Sequence, residues 1–154
     1  MARLIKLMLL SVVFLFGMIT LISLLIPSQV RISRAINVAA RPAVIQKLVG
    51  DSTQWRVWHP GFSDSSRFEG IRIIPGKKDS SSWTFALQQG QKTPVWNGFQ
   101  LHTYPGSDSA TLQWYMDFHL RWYPWQKFGS LFYESMYGPL MEQGLTSLRQ
   151  KSGE

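Results

Sequence analysis

The sequence predicts an α+β protein: an antiparallel sheet covered by a long C-terminal helix, all of it preceded by one apolar helix. Three observations carry this reading. Leu7 to Ile26 is a run of twenty residues without a charge. From Ala110 to Trp122 every even position is apolar. From Trp125 to Leu148 the large apolar residues recur at spacings of three and four.

The first run is interrupted only by Ser11, Gly17, Thr20 and Ser23, all small. At about 1.5 Å per residue, twenty helical residues reach about 30 Å, the thickness of a bilayer's hydrocarbon core. Arg3 and Lys6 precede it and can snorkel to headgroups, and Pro27 can end the helix on the other side. A secretory signal has a shorter apolar region, about 7–15 residues, and ends in a small-x-small cleavage site. The exit here reads Leu-Leu-Ile-Pro-Ser-Gln, so the expectation is an uncleaved anchor. This divides the chain into a tether and short connector, residues 1–29, and a domain, residues 30–154. Basic residues flank the tether on both sides: Arg3 and Lys6 before it, Arg31, Arg34 and Arg41 after it. A short basic N-terminal tail of this kind is expected to leave the domain outside the cytoplasm.

The net charge of the 154-residue chain is +7. Without Arg3 and Lys6 the domain keeps 14 basic against 9 acidic residues, or +5. The basic residues are scattered, with Lys77-Lys78 the one adjacent pair. This excludes a nucleic-acid stripe and leaves only weak attraction to anionic headgroups. There is no cysteine, hence no disulfide framework.

Within the domain, Val30 to Val38 alternates, with Val30, Ile32, Ile36 and Val38 on one face and Arg34 as that face's exception. Ala39 to Val49 has helical spacing, with Pro42 suited to a first turn. Trp55 and Trp58 belong to a second short helical segment that His59-Pro60-Gly61 breaks. Strands are then expected over Phe68 to Ile74, ending at Pro75-Gly76, and over Ser81 to Gln88, with Trp83, Phe85 and Leu87 on one face. A third runs from Val95 to Tyr104 and a fourth from Ala110 to Trp122, forming a meander. The final stripe contains Gly138-Pro139, where a kink or a split into two helices is expected.

This order, with the opening SRAINVAARPAVIQKLVGDSTQWRVWHP and the closing LRWYPWQKFGSLFYESMYGPLMEQGLTSL, resembles the START-like superfamily, also called SRPBCC (polyketide cyclase/dehydrase and lipid transport). The closing segment is similar to the Tyr-Pro-Trp and Gly-Pro pattern of bacterial members that carry a transmembrane helix. The resemblance implies a helix-grip fold, in which a curved sheet grips the C-terminal helix around an apolar cavity. It also implies a hydrophobic or lipid-like ligand. About 55 residues separate Phe68 from Trp122, room for four strands or five short ones where typical members have six. A shorter sheet would shrink the cavity.

Trp83, Phe85, Trp114, Phe118 and Trp122 are expected on the concave face, with Phe128 and Phe132 on the covering helix. Such rings can line a ligand cavity, or simply fill a small core at about 150–250 Å² each. Arg34 can meet a ligand's carboxylate or phosphate, pair with Asp or Glu, or escape at a sheet edge. Trp55 and Trp58 are read either as packing or as a cavity mouth or interfacial belt. No spacing among His59, His102 and His119 suits a metal, no cofactor is implied, and no Gly-x-Ser-x-Gly elbow offers a nucleophile. Asp117 and His119 share a strand face that is expected to be solvated. Three readings follow: a membrane-tethered module binding a hydrophobic or amphipathic small molecule, an interaction protein with a collapsed cavity, or a cyclase-type enzyme.

Overall fold

The computed structural model of the chain describes residues 1–63, 70–106 and 109–153. Two compact units emerge, one of Met1–Val30 with His119–Phe132, the other of Arg31–Phe118 with Tyr133–Glu154.

In the first unit, α1 (Ala2–Leu24) is long and apolar enough to cross a membrane. Its last turn tightens, with the Leu25 and Ile26 amides donating to Ile22 and Ser23 carbonyls, before Pro27 stops it. A short helix, α5 (Pro124–Ser130), packs on α1. Pro124 occupies its first turn, where a missing N–H costs nothing.

The second unit holds the sheet. Its strands are β1 (Gln29–Val38), β2 (Ile71–Lys78), β3 (Ser82–Gln89), β4 (Val95–Thr103) and β5 (Ala110–His119). Their order is β1-β5-β4-β3-β2, with antiparallel meander pairs from β2 to β5. Between β1 and β2 lie α2 (Pro42–Gly50), a 3₁₀ turn (Ser52–Gln54), and the single-turn helices α3 (Trp55–Trp58) and α4 (Pro60–Ser63). After α5 comes α6 (Tyr133–Ser152), which packs on α2, α3 and α4. The inner sheet face alternates as period two requires: Ala110, Leu112, Trp114, Met116 and Phe118 are buried, as are Trp83, Phe85 and Leu87. The helix reaches that face where it lacks side chains. A Cβ on Gly144 would lie 2.9 Å from the Trp114 ring and 3.0 Å from Pro60, so only glycine lets α6 come this close.

Three expected boundaries move. Phe68 lies outside the described residues, and β2 runs on through Pro75-Gly76 instead of stopping there. The register shifts between Pro75 and Lys78, and β2 is an edge strand, where a proline removes no ladder bond. The Thr84 hydroxyl replaces ladder contacts at the bulge, accepting from the Lys77 amide and donating to its carbonyl. At the other end, β5 stops at His119 rather than Trp122: the Leu120 amide donates to the Ser28 carbonyl, and the chain then turns into the helix that Pro124 opens. The helical segment holding Trp55 and Trp58 ends at His59 as expected, where the backbone becomes extended, and Pro60 then opens a separate turn.

The last correction concerns the final stripe. The split falls at Leu131–Phe132, where amides reach back three residues to Phe128 and Gly129, while α6 continues through Pro139. One guanidinium holds the turns on either side of that proline: Arg34 pairs with Glu134 before it and with Glu142 after it.

Candidate functional site

The interior of the grip is occupied by rings. Trp55 meets Phe85 edge-on at 4.7 Å between centroids and Phe99 at 5.6 Å. Trp58 meets Trp114 edge-on at 5.8 Å, and Phe99 stacks on Trp114 at 5.5 Å. His59 lies 4.9 Å from Trp114. The three indole N–H groups of this ring cluster each find an acceptor. Trp55 donates to the Val49 carbonyl at 3.0 Å, Trp58 to that of Leu48 at 2.9 Å, and Trp114 to Asn97 Oδ1 at 3.0 Å. Trp55 and Trp58 therefore pack the core and do not stand at a mouth or in a belt.

Two polar side chains sit inside this cluster. His59 accepts from the Gly61 amide at Nδ1, and burial pushes its pKa down to about 3, so the ring is neutral at physiological pH. The Asn97 Nδ2 is buried without a hydrogen-bond partner among the described residues, an arrangement that costs about 1–3 kcal/mol.

Space opens beside the cluster. A cleft of about 210 Å³ lies between residues 50–52 at the end of α2 and residues 75–78 and 83–85 of the β2–β3 hairpin. Trp83 and Phe85 form its apolar wall, while Asp51, Ser52, Lys77, Lys78 and Thr84 supply polar groups. Asp51 accepts from both the amide and the hydroxyl of Thr53, bonds that hold its carboxyl below the usual range.

Of the residues expected to line a cavity, Trp83 and Phe85 meet at this cleft. Trp114 is sealed inside the cluster, and Phe118 packs on Tyr133 and Tyr137 of α6. Burial, with Tyr133 beside it, raises the Tyr137 phenol above its ordinary value. Trp122, Phe128 and Phe132 belong to the first unit, where Trp122 and Phe132 are exposed. Arg34 is engaged by two carboxylates, which also raise its pKa. The cleft's polar groups were not singled out as a set by sequence. The visible signals were Lys77-Lys78, the adjacent basic pair, and Pro75-Gly76, legible as an irregularity but not as a cleft edge.

The course of this backbone, with an antiparallel sheet, α2–α4 inserted after β1 and α6 laid over the inner face, superimposes on solved structures. A START superfamily protein from Mycobacterium smegmatis superimposes with a TM-score of 0.59 at 18% identity, covering 80% of this chain and 97% of that one. The fold is the START-like helix grip. XoxI from Bacillus cereus shares it at 10% identity, with a TM-score of 0.58 over 80% of this chain and 96% of that one. Zhui aromatase/cyclase from Streptomyces sp. R1128 does so at 10% identity, with a TM-score of 0.52 over 81% and 94%. No family model and no curated protein matches the sequence. What the START-like structures share with this chain is the course of the backbone, and its chemistry must be read from its own side chains.

Proposed function

We propose that this protein is a membrane-tethered START-like module that binds part of a hydrophobic or amphipathic small molecule, with a lipid-like ligand as the leading class. The observation that carries the reading is the cleft: a helix-grip domain offers about 210 Å³ walled by Trp83 and Phe85 and rimmed by Lys77 and Lys78. Ligand pockets for whole drug-sized molecules run about 300–1,000 Å³. A dry cavity of about 150 Å³, however, takes benzene. A ring-sized or short-chain portion of a ligand therefore fits here, with an anionic group drawn to the two ammonium groups. The tether is α1, with the domain outside the cytoplasm and the protein among the membrane-anchored bacterial members of the superfamily. The module is a binder and not an enzyme: His102 and His119 are exposed, and the Asp117 carboxylate is held by Arg31 at 2.6 Å.

Native mass spectrometry of the full chain released from detergent tests this. A lipid-sized adduct is expected, and Ser52→Trp, which fills the cleft, should abolish it. The packed ring cluster favours a second reading, an interaction protein with a collapsed cavity. A consistently empty chain that co-purifies with one defined envelope protein would establish that reading instead.

A further inference from the structure

The first unit carries a surface that the ligand-binding reading does not use. Residues 120–132 leave the sheet and fold against the end of α1. The Leu120 amide donates to the Ser28 carbonyl at 2.8 Å. The Lys127 ammonium, although only 2% of the residue is exposed, donates to the Ile26 carbonyl and the Ser28 hydroxyl, each at 2.7 Å. A cation at this position satisfies a carbonyl just past the C-terminal end of α1 and complements the helix dipole. One turn earlier on α1, Ser23 is fully buried, and its hydroxyl turns back to the Thr20 carbonyl. The segment is therefore tied to the last turns of the apolar helix, close to where its uncharged run ends at Ile26.

On that tied segment the apolar side chains face outward. Trp122, Trp125, Leu131 and Phe132 are between 58% and 63% exposed. Tyr123 stacks flat on Trp125 at 4.8 Å and tilts against Trp122 at 4.9 Å. Four large apolar residues exposed within eleven positions have no use for water. Trp and Tyr, with an apolar body and one polar atom, are the residues that settle at the headgroup level of a bilayer. Exposed Arg121 beside them suits lipid phosphate.

We propose that residues 121–132 form a second membrane contact: an aromatic foot that inserts into the lipid interface where α1 leaves the bilayer. The occupant is the headgroup–acyl boundary of the membrane that α1 crosses, and the inference rests on that tethering. Continuity selects this occupant, since the foot is bound to the end of the span through Ile26 and Ser28 and through the packing of α5 on α1, and so cannot lie far from the same bilayer surface. Buried Lys127 then has a role: it fixes the foot's depth relative to the span.

The absence of cysteine makes the test direct. Spin labels on Leu131→Cys and Val12→Cys, each in the full chain in phosphatidylcholine–phosphatidylglycerol vesicles, report depth through relative accessibility to oxygen and a nickel chelate. The expected result is a Val12 label in the hydrocarbon and a Leu131 label about 5–10 Å below the headgroup boundary. Adding Trp122→Ser, Trp125→Ser and Phe132→Ser should return the Leu131 label to aqueous accessibility while the Val12 label stays deep. An aqueous Leu131 label beside a deep Val12 label would overturn the foot and leave the tether standing. An aqueous Val12 label would overturn both. A Leu131 label that stays buried after the serine substitutions would overturn the assignment of anchoring to these rings.

Discussion

Two groups of aromatic residues use the same chemistry in opposite ways. In the grip, Trp55, Trp58, Phe99 and Trp114 are almost wholly buried, and every indole N–H has a protein acceptor. On the segment beside α1, Trp122, Trp125 and Phe132 stand more than half exposed, and the tie to the rest of the chain is made by a lysine and backbone amides. A tryptophan's role therefore follows from what surrounds it. The first group contributes apolar burial and cohesion, while the second leaves its apolar surface available.

The sharpest way to separate the groups is truncation. Trp114→Ala removes a ring that stacks on Phe99, accepts the close approach of Gly144, and bonds Asn97. It should cost about 3–5 kcal/mol, the usual range for emptying an aromatic site in a core. Chemical denaturation of the chain in detergent would read this as a lowered midpoint. A loss below about 1 kcal/mol would mean that the cluster is loosely packed.

Acidity should distinguish the groups next. His59 is neutral in the fold with a pKa of about 3, against an ordinary value of about 6.5. Between those values the unfolded chain binds a proton that the folded chain does not. Stability is then complete above about pH 6.5 and falls as pH drops, by at most about 1.4 kcal/mol per unit. His59→Asn keeps an acceptor for the Gly61 amide and does not titrate. Denaturation at pH 7 and at pH 5, for wild type and variant, should show a smaller difference in the variant. Equal slopes would mean that water reaches His59.

How far these two groups could be told apart from sequence depends on the range of the forces involved. Period-two alternation is a local signal, and it correctly put Trp83, Phe85, Trp114 and Phe118 on one sheet face. The same alternation carried on to Trp122, because nothing local distinguishes a strand's last apolar residue from the first of an exposed segment. The seam at Leu131–Phe132 was hidden for a similar reason. The three-and-four spacing continues across it, while Gly138-Pro139 looked like the better break. Across Pro139 the turns of α6 are bridged by Arg34, about a hundred residues earlier in the chain, which pairs with Glu134 and Glu142. The cleft was hidden because it needs the end of α2 to lie across from a bulged edge strand, and neither segment is unusual alone.

That bridge predicts a smaller effect. Arg34 is partly shielded, but both carboxylates are about 60% exposed, so solvent screens the attraction. Arg34→Met keeps the apolar stem and should cost about 0.5–1 kcal/mol, shrinking further in high salt. A loss that salt leaves unchanged would mean that the guanidinium holds the Pro139 turn by shape rather than charge.

The smallest effect on stability belongs to the exposed group, and it completes the contrast with Trp114. Trp125 is 62% exposed, its main partner is the flat Tyr123 ring, and its removal opens no cavity. Trp125→Ala should therefore shift the denaturation midpoint by no more than about 0.5 kcal/mol in detergent, the ordinary scale for a surface position. In vesicles the same substitution should cost more than it does in detergent, because only a bilayer gives the ring a fixed interface to occupy. A core-sized loss in detergent would put Trp125 in the packed class and erase the distinction between the two groups. A small loss in both media would leave it a solvent-facing ring with no membrane role.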